Sequence, residues 1–245
     1  MRTVNYDSVA PTYDARYAHN VYDGVGDTLV RFAEGARDVI EVGCGTGHWL
    51  TELLALGVPT VLGIDRSAGM LDRAAQVTAG AYLMQGSAES LPLRAESVDR
   101  VVCINALHHF PNPSGFLSEC RRVLRTGGGV LTIGLDPHRG KDQWWVYDYF
   151  PSARTLDLAR YPGTERIHAW AAAAGFGRIE SDVAQHFPAA VPFDSAVARG
   201  LVERSATSQL MVIGDAEWEV GRRRLETERP VLRADLTLYA SYAWR

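Results

Sequence analysis

The sequence has few cysteines, no long apolar run and no leader-like start. Its 245 residues include three cysteines, Cys44, Cys103 and Cys120, which are too few for a disulfide framework. No apolar stretch approaches the roughly 18 residues that a membrane-spanning helix needs. The polar, acidic N-terminus is unlike a signal peptide. We therefore expect a reduced, cytoplasmic protein that does not insert into a membrane.

Positive charge is not in excess, with 25 Lys and Arg against 29 Asp and Glu. The formal net charge is −4 at pH 7, so we expect no broad basic surface for nucleic acid. The densest basic run, Arg222 to Arg224, is typical of the C-terminal half of a helix, where positive charge complements the helix dipole. The adjacent His108 and His109 lack the accompanying Cys, Asp or Glu spacing of a metal site. We therefore expect neither a nucleic-acid partner nor a bound metal ion.

Predicted strands alternate with predicted helices up to Asp136, which favours a parallel sheet with helices on both faces. The strands of this first half are predicted at about 38–43, 60–65, 81–85, 98–105 and 129–135. The fourth of them is almost wholly apolar and is therefore predicted to be central. The later pattern is weaker: a helix at about 165–174, a strand at 177–185, a helix at 215–228 and an alternating strand at 236–244 are predicted.

The first predicted strand runs into three alternate glycines, Gly43, Gly45 and Gly47. Glycine lets the backbone approach a ligand where a Cβ would clash. The second predicted strand ends in Asp65, which can accept hydrogen bonds from both hydroxyls of a ribose. Because parallel sheets bind ligands at the carboxyl ends of their strands, this pattern predicts a site for a nucleoside-bearing cofactor.

The spacing of these glycines argues against a dinucleotide. A dinucleotide fingerprint is G-x-G-x-x-G, whereas this chain has G-x-G-x-G. Glu41, just before the loop, would repel a pyrophosphate but suits a cofactor that carries an ammonium and a sulfonium. A nicotinamide-dependent oxidoreductase is therefore disfavoured.

At this point the chain resembles the class I S-adenosylmethionine-dependent methyltransferases. Residues 41–47 look like motif I of that family. Residues 63–71 resemble its ribose segment, and residues 85–92 resemble its adenine segment. Residues 98–110 resemble the post-strand-four motif of small-molecule members, and residues 124–129 resemble the turn before strand five. Residues 6–14 resemble the cap of the ubiquinone/menaquinone-biosynthesis branch, of the methyltransferase domain 11 type. The resemblance covers residues 1–136 well and the remainder loosely.

The resemblance implies an α/β fold, a Rossmann-like, doubly wound, seven-stranded and mostly parallel sheet. The implied strand order is 3-2-1-4-5-7-6, with the last strand antiparallel. It also implies one domain over residues 1–245 with an N-terminal helical cap and helical insertions. The parts are a cap at 1–30, a cofactor-binding core at 36–136, acceptor-site or lid elements at 137–163 and 186–229, and a final strand at 231–245.

The resemblance further implies S-adenosylmethionine as the cofactor, with S-adenosylhomocysteine as the product. It assigns close backbone approach to Gly43, Cys44, Gly45 and Gly47, and a contact with the cofactor's ammonium to Glu41. Asp65 is assigned to the ribose, and Asn105 to the methionine part. The residues assigned to the adenine are Arg66, Met70, Ser87 and Ala88. Ser87 stands where family members often have an acid. In the cap, we expect Tyr13 to close over the cofactor and Arg16 to pair with the methionine carboxylate. The alternative is that these residues belong to an amphipathic N-terminal helix packed on the domain.

His108 and His109 are the candidate bases. They follow the fourth strand, and an unperturbed imidazole titrates near neutral pH. The alternative is that both side chains only shape the turn. Acceptor pockets are mostly apolar and aromatic, so the acceptor-binding candidates are Tyr17, Trp144, Trp145 and Tyr147. The alternative for the two tryptophans and Tyr147 is a place in the core.

We therefore expect a methyltransferase that acts on O, N or C of a small, aromatic or apolar metabolite, with secondary metabolism as one setting. The acceptor itself is unreadable from the sequence. Two alternatives stay open: a tRNA or other nucleic-acid methyltransferase, and a methyltransferase fold that binds S-adenosylmethionine without methyl transfer. The expected partner is a small-molecule acceptor, and the expected state is a monomer or homodimer.

Overall fold

A computed structural model describes residues 6–10, 13–14, 17 and 21–245 of the chain. Its strands are β1 (Asp38–Val42), β2 (Thr60–Asp65), β3 (Tyr82–Gln85), β4 (Val98–Ile104), β5 (Leu124–Leu135), β6 (Gln143–Trp144), β7 (Arg178–Pro192) and β8 (Val231–Trp244). Its helices are α1 (Tyr6–Val9), α2 (Asp23–Ala33), α3 (His48–Ala55), α4 (Ala68–Val77), α5 (Pro113–Val123), α6 (Trp145–Tyr149), α7 (Pro151–Arg160), α8 (Thr164–Ala173), α9 (Phe193–Ala198), α10 (Ser208–Val212) and α11 (Asp215–Glu228).

All eight strands join one sheet in the order β3-β2-β1-β4-β5-β8-β6, with β7 paired to β8. The first five strands pair in parallel, and β8 is antiparallel to β5, β6 and β7. If the two-residue β6 is set aside and the others are numbered along the chain, the order is 3-2-1-4-5-7-6. The predicted fold class is therefore confirmed, with one short extra strand.

The strand β7 is longer than predicted. It reaches Pro192 because it pairs with β8 from Arg178 opposite Trp244 to Pro192 opposite Val231, and β8 begins at the residue where the resemblance places the final strand. Residues 186–192 thus belong to a strand, whereas the sequence placed them at the start of a lid element. The strand β5 also starts early, since Leu124 already pairs with Val98.

Helices cover both faces of the sheet. Successive strand residues point to opposite faces, so Val101 and Cys103 of β4 join one apolar cluster with α5, while Val102 and Ile104 join another with α2 and α3. A third cluster lies apart from these two and is built from α6, α9, α10 and α11. No helix in the described ranges is long and apolar enough to cross a membrane.

Candidate active site

A cavity of about 750 Å³ opens at the carboxyl ends of β1, β2, β3 and β4. This volume lies in the upper half of the range usual for small-molecule sites. It is lined mainly by the loops after these strands, by described residues near the N-terminus and by Val212, and by the segment between β5 and β7. We call the residues 158–170 of this last segment the lid.

The loop after β1 has a left-handed backbone. Gly43 and Gly47 have φ of +76° and +87°. A Cβ on Gly43 would lie 2.5 Å from the Cβ of Ala106, and one on Gly47 would lie 2.5 Å from Cγ2 of Thr78. Glycine is therefore required at both positions. Gly43, Cys44 and Gly45 line the cavity, whereas Gly47 does not and instead precedes α3.

Asp65 ties this loop to the end of β2. Its Oδ2 accepts a hydrogen bond from the backbone N–H of Gly45 at 2.9 Å, and its Oδ1 accepts one from the N–H of Ser67 at 2.8 Å. Burial raises the pKa of Asp65, and these backbone donors oppose the increase. The carboxylate thus holds two loops at the cavity wall and remains within reach of a ligand there.

Glu41 lies beneath the glycine loop and is 1% exposed. Burial, followed by the nearby charge of Asp65, raises its pKa well above the usual range for a glutamate. Its Oε2 has no hydrogen-bond partner among the described residues. A buried carboxyl oxygen without a donor costs free energy, and the ammonium of a ligand would satisfy it. The site therefore fits the amino-acid part of S-adenosylmethionine.

The predicted adenine-side residues surround the same cavity. Arg66, Met70, Ser87 and Ala88 all line it. The hydroxyl of Ser87 donates to the carboxylate of Glu89, which also accepts the N–H of Asn112 at 3.1 Å. Sequence reasoning missed Glu89, although it stands only two residues after Ser87. A carboxylate is thus hydrogen-bonded to Ser87 at the cavity wall.

The loop after β4 brings both histidines to the cavity. Asn105, with φ of +51°, leads into a 3₁₀ turn at Leu107–His109. The imidazole of His109 hydrogen-bonds through Nε2 to the hydroxyl of Tyr6 at 2.5 Å. The His108 ring stacks on the ring of Tyr161, with centroids 3.8 Å apart. All of these residues except Leu107 line the cavity.

Residues near the N-terminus close one side of the cavity. Tyr6, Asp7, Tyr13 and Tyr17 line the cavity. The Asp7 carboxylate accepts the hydroxyl of Ser67 at 2.5 Å and the N–H of Gly69 at 3.1 Å, which anchors α1 to the start of α4. Arg16, the predicted carboxylate partner, lies outside the described residues.

Trp144, Trp145 and Tyr147 do not line the cavity. Trp145 is buried in the third apolar cluster, and the partly buried Trp144 and Tyr147 pack against that cluster. Trp144 itself belongs to β6, which pairs with β8. The hydroxyl of Tyr147 donates to Oδ2 of the buried Asp157 at 2.9 Å. The acceptor side of the cavity is instead lined by the lid and by Val212, with Arg160, Tyr161, Arg166 and Trp170 as its larger side chains. Sequence reasoning missed these residues because no motif marks the lid.

Known methyltransferases resemble this chain in sequence. The model of a methyltransferase domain matches residues 40–132. The chain is 37% identical over 111 residues to phthiotriol/phenolphthiotriol dimycocerosates methyltransferase 1 of Mycobacterium ulcerans, covering 44% of this chain and 41% of that protein. It is 33% identical over 161 residues to the ubiquinone biosynthesis O-methyltransferase of Pseudomonas putida, covering 59% of this chain and 66% of that one.

Residues 40–132 thus form a methyltransferase domain, and the chain is similar to class I S-adenosylmethionine-dependent methyltransferases. The fold agrees: a putative methyltransferase from an antibiotic biosynthesis pathway of Anabaena variabilis superposes with a TM-score of 0.68 at 23% identity, over 91% of this chain and 97% of that one. The cofactor of this methyltransferase domain is S-adenosylmethionine. The chain spans only about two fifths of the length of the Mycobacterium ulcerans relative.

Proposed function

We propose that this protein transfers a methyl group from S-adenosylmethionine to O, N or C of a small, aromatic or apolar metabolite by in-line displacement. One observation carries the proposal: a single cavity contains both the glycine loop with its two acids and the histidine pair. When bound, the cofactor supplies an electrophilic methyl on a sulfonium. The residues of the chain must hold the acceptor in line with that methyl group and, for some acceptors, supply a base.

The cofactor-side residues have proposed roles that follow from their places. The backbone of Gly43, Cys44 and Gly45 allows close approach, and Glu41 takes the ammonium. Asp65 takes the ribose hydroxyls. The remaining proposed contacts are Tyr13, Arg66, Met70, Ser87, Ala88 and Asn105. Holding donor and acceptor in line can account for about 7–11 kcal/mol of the barrier.

His109 is the proposed proton acceptor, with His108 beside it. An acceptor hydroxyl, ammonium or acidic carbon must lose a proton, and a positioned base contributes about 10²–10⁴-fold in rate. The Tyr6 hydroxyl bonded to Nε2 of His109 fixes the plane of that imidazole. The rings of Tyr13, Tyr17 and Tyr161 around the cavity exclude water from the reacting groups.

The relatives support a small-molecule acceptor, since those compared above are named for ubiquinone biosynthesis and for dimycocerosates. We further propose that the chain acts as one domain in the cytoplasm, as a monomer or homodimer. The proposal assigns no acceptor contact to Trp144, Trp145 or Tyr147, which lie outside the cavity lining.

The test is transfer of labelled methyl from S-adenosylmethionine into a panel of small acceptors, with total tRNA and protein as parallel substrates. Labelled small-molecule product that falls about 10²-fold or more in His109→Gln supports the proposal. His186→Gln is the matched control, since His186 is exposed on β7, paired with Asp235 and outside the cavity lining. Label in tRNA would favour the nucleic-acid alternative. Cofactor binding without any labelled product would favour a binding protein.

A further inference from the structure

The charged residues of the cavity are divided between its two sides. The carboxylates that line it belong to the cofactor-side loops and to α1: Asp7, Glu41, Asp65 and Glu89. Among the described residues, the lid contributes no carboxylate to the lining, but it contributes two guanidinium groups, those of Arg160 and Arg166. The acceptor side is therefore cationic where the cofactor side, apart from Arg66, is acidic.

Arg166 has no carboxylate partner among the described residues. It lies in the first turn of α8, is exposed, and forms no ion pair with any residue that the structure describes. Its guanidinium carbon lies 5.0 Å from the ring centroid of Trp170, one turn further along the same helix. The two side chains line the same cavity, so a cation and an aromatic face are presented together.

Arg160 adds to this charge. Its side chain is 7% exposed and bonds through Nη2 to Oδ1 of Asp157 at 2.9 Å. Nε is buried and has no acceptor within the described part of the chain. Asp157 does not line the cavity. Of the two guanidinium groups that the lid contributes to the lining, Arg160 is therefore paired with a carboxylate outside the lining and Arg166 is not; Glu165, the carboxylate of the lid itself, does not line the cavity.

We propose that the methyl acceptor is an aromatic carboxylate, whose ring packs on Trp170 and whose carboxylate binds Arg166. This rests on the proposed function and names the substrate class of the same site. A guanidinium presents paired N–H groups that match a carboxylate, and a planar ring suits the aromatic face of Trp170. A cationic amine is disfavoured, because both guanidinium groups would repel it.

The experiment compares acids with their neutral amides, which have nearly the same shape. With the protein saturated in S-adenosylhomocysteine, calorimetry measures the binding of 4-hydroxybenzoate, caffeate and 2-naphthoate against their carboxamides. In at least one pair we expect the acid to bind at least about tenfold tighter. In Arg166→Gln this preference falls below about threefold through weaker binding of the acid, while the affinity for the amide is unchanged.

Arg154→Gln is the matched control, because Arg154 is an exposed arginine of α7 that does not line the cavity. We expect it to retain the full preference. Arg160 is left unchanged, since its loss would strand the buried Asp157 carboxylate. The inference is overturned if no acid binds better than its amide, or if the preference survives in Arg166→Gln. Failure of S-adenosylhomocysteine to bind at the outset would instead overturn the proposed function, so the two failures are distinguishable.

Discussion

The imidazole of His108 lies parallel to the phenol ring of Tyr161, with centroids 3.8 Å apart and an interplanar angle of 17°. This stack joins the loop after β4 to the lid. The Tyr161 hydroxyl accepts a hydrogen bond from Nε2 of Gln209 at 2.9 Å, and its carbonyl oxygen bonds to Nε2 of His138 at 2.9 Å. The orientation of His108 therefore depends on a residue outside the cofactor-binding core.

Two substitutions of Tyr161 separate the effect of its ring from the effect of its hydroxyl. Tyr161→Leu removes the stacked face, and we expect kcat to fall by about tenfold to a hundredfold because His108 is no longer held in place. Tyr161→Phe keeps the ring and loses one hydrogen bond, so we expect stability to drop by about 1 kcal/mol with kcat nearly unchanged. Steady-state kinetics measures kcat, and thermal unfolding measures the stability of the two variants. Equal kcat values in the two variants would show that the stack does not position His108.

Gly43→Ala tests the glycine loop. The new Cβ would meet Ala106 at 2.5 Å, and the residue would keep a φ of +76°. We expect a loss of about 1–3 kcal/mol in the free energy of unfolding and loss of cofactor binding. Gly26→Ala is the matched control, because a Cβ at this helical position meets nothing within 4 Å. It should stabilise the protein by about 0.5–1 kcal/mol. Chemical denaturation would contradict this account if both variants behaved alike.

Glu41→Gln should stabilise the free protein and weaken the complex. The pKa of Glu41 is raised in the folded state, so that state holds the proton more tightly than the unfolded chain does. Stability is therefore lost as the pH rises above the ordinary glutamate value of 4.5. We expect Glu41→Gln to unfold at a higher temperature than wild type at pH 8, with a smaller difference at pH 5.

The same substitution removes the charge that would meet an ammonium. We expect the Kd for S-adenosylmethionine to increase by about tenfold to a hundredfold, since a charge-assisted hydrogen bond contributes about 1.5–3 kcal/mol. For wild type, affinity should rise with pH as Glu41 ionises. Thermal unfolding and calorimetry from pH 5 to 8 measure these effects. Unchanged affinity in Glu41→Gln would exclude the ammonium contact.

The cofactor side of the site could be predicted from the sequence because each of its residues lies in a short strand–loop segment. Gly43, Gly45 and Asp65 lie within single strand–loop segments, whose backbone conformation depends on near neighbours. Their pattern also predicts the sheet edge at which they meet. The structure places all of the predicted cofactor residues that it describes at the cavity except Gly47.

The acceptor half could not be predicted in this way. Trp144, Trp145 and Tyr147 looked like a pocket wall because they follow β5, but they pack in a separate apolar cluster. Tyr161 and Arg166 reach the cavity through packing of the lid on the loop after β4, and no local pattern encodes that long-range contact. The length of β7 was missed for a related reason, since pairing with β8 sets it.

Asp65 is central to the proposed binding of S-adenosylmethionine in this cavity. Calorimetry tests this binding with S-adenosylmethionine and S-adenosylhomocysteine, and with NAD as the control ligand. The proteins compared are wild type, Asp65→Ala and Asp72→Ala. Asp72→Ala is the control variant, because Asp72 is exposed and its side chain is outside the cavity lining. We predict micromolar binding of both sulfur compounds to wild type and Asp72→Ala, loss of binding in Asp65→Ala, and no binding of NAD. Undiminished binding by Asp65→Ala, or no binding by wild type, would contradict the account.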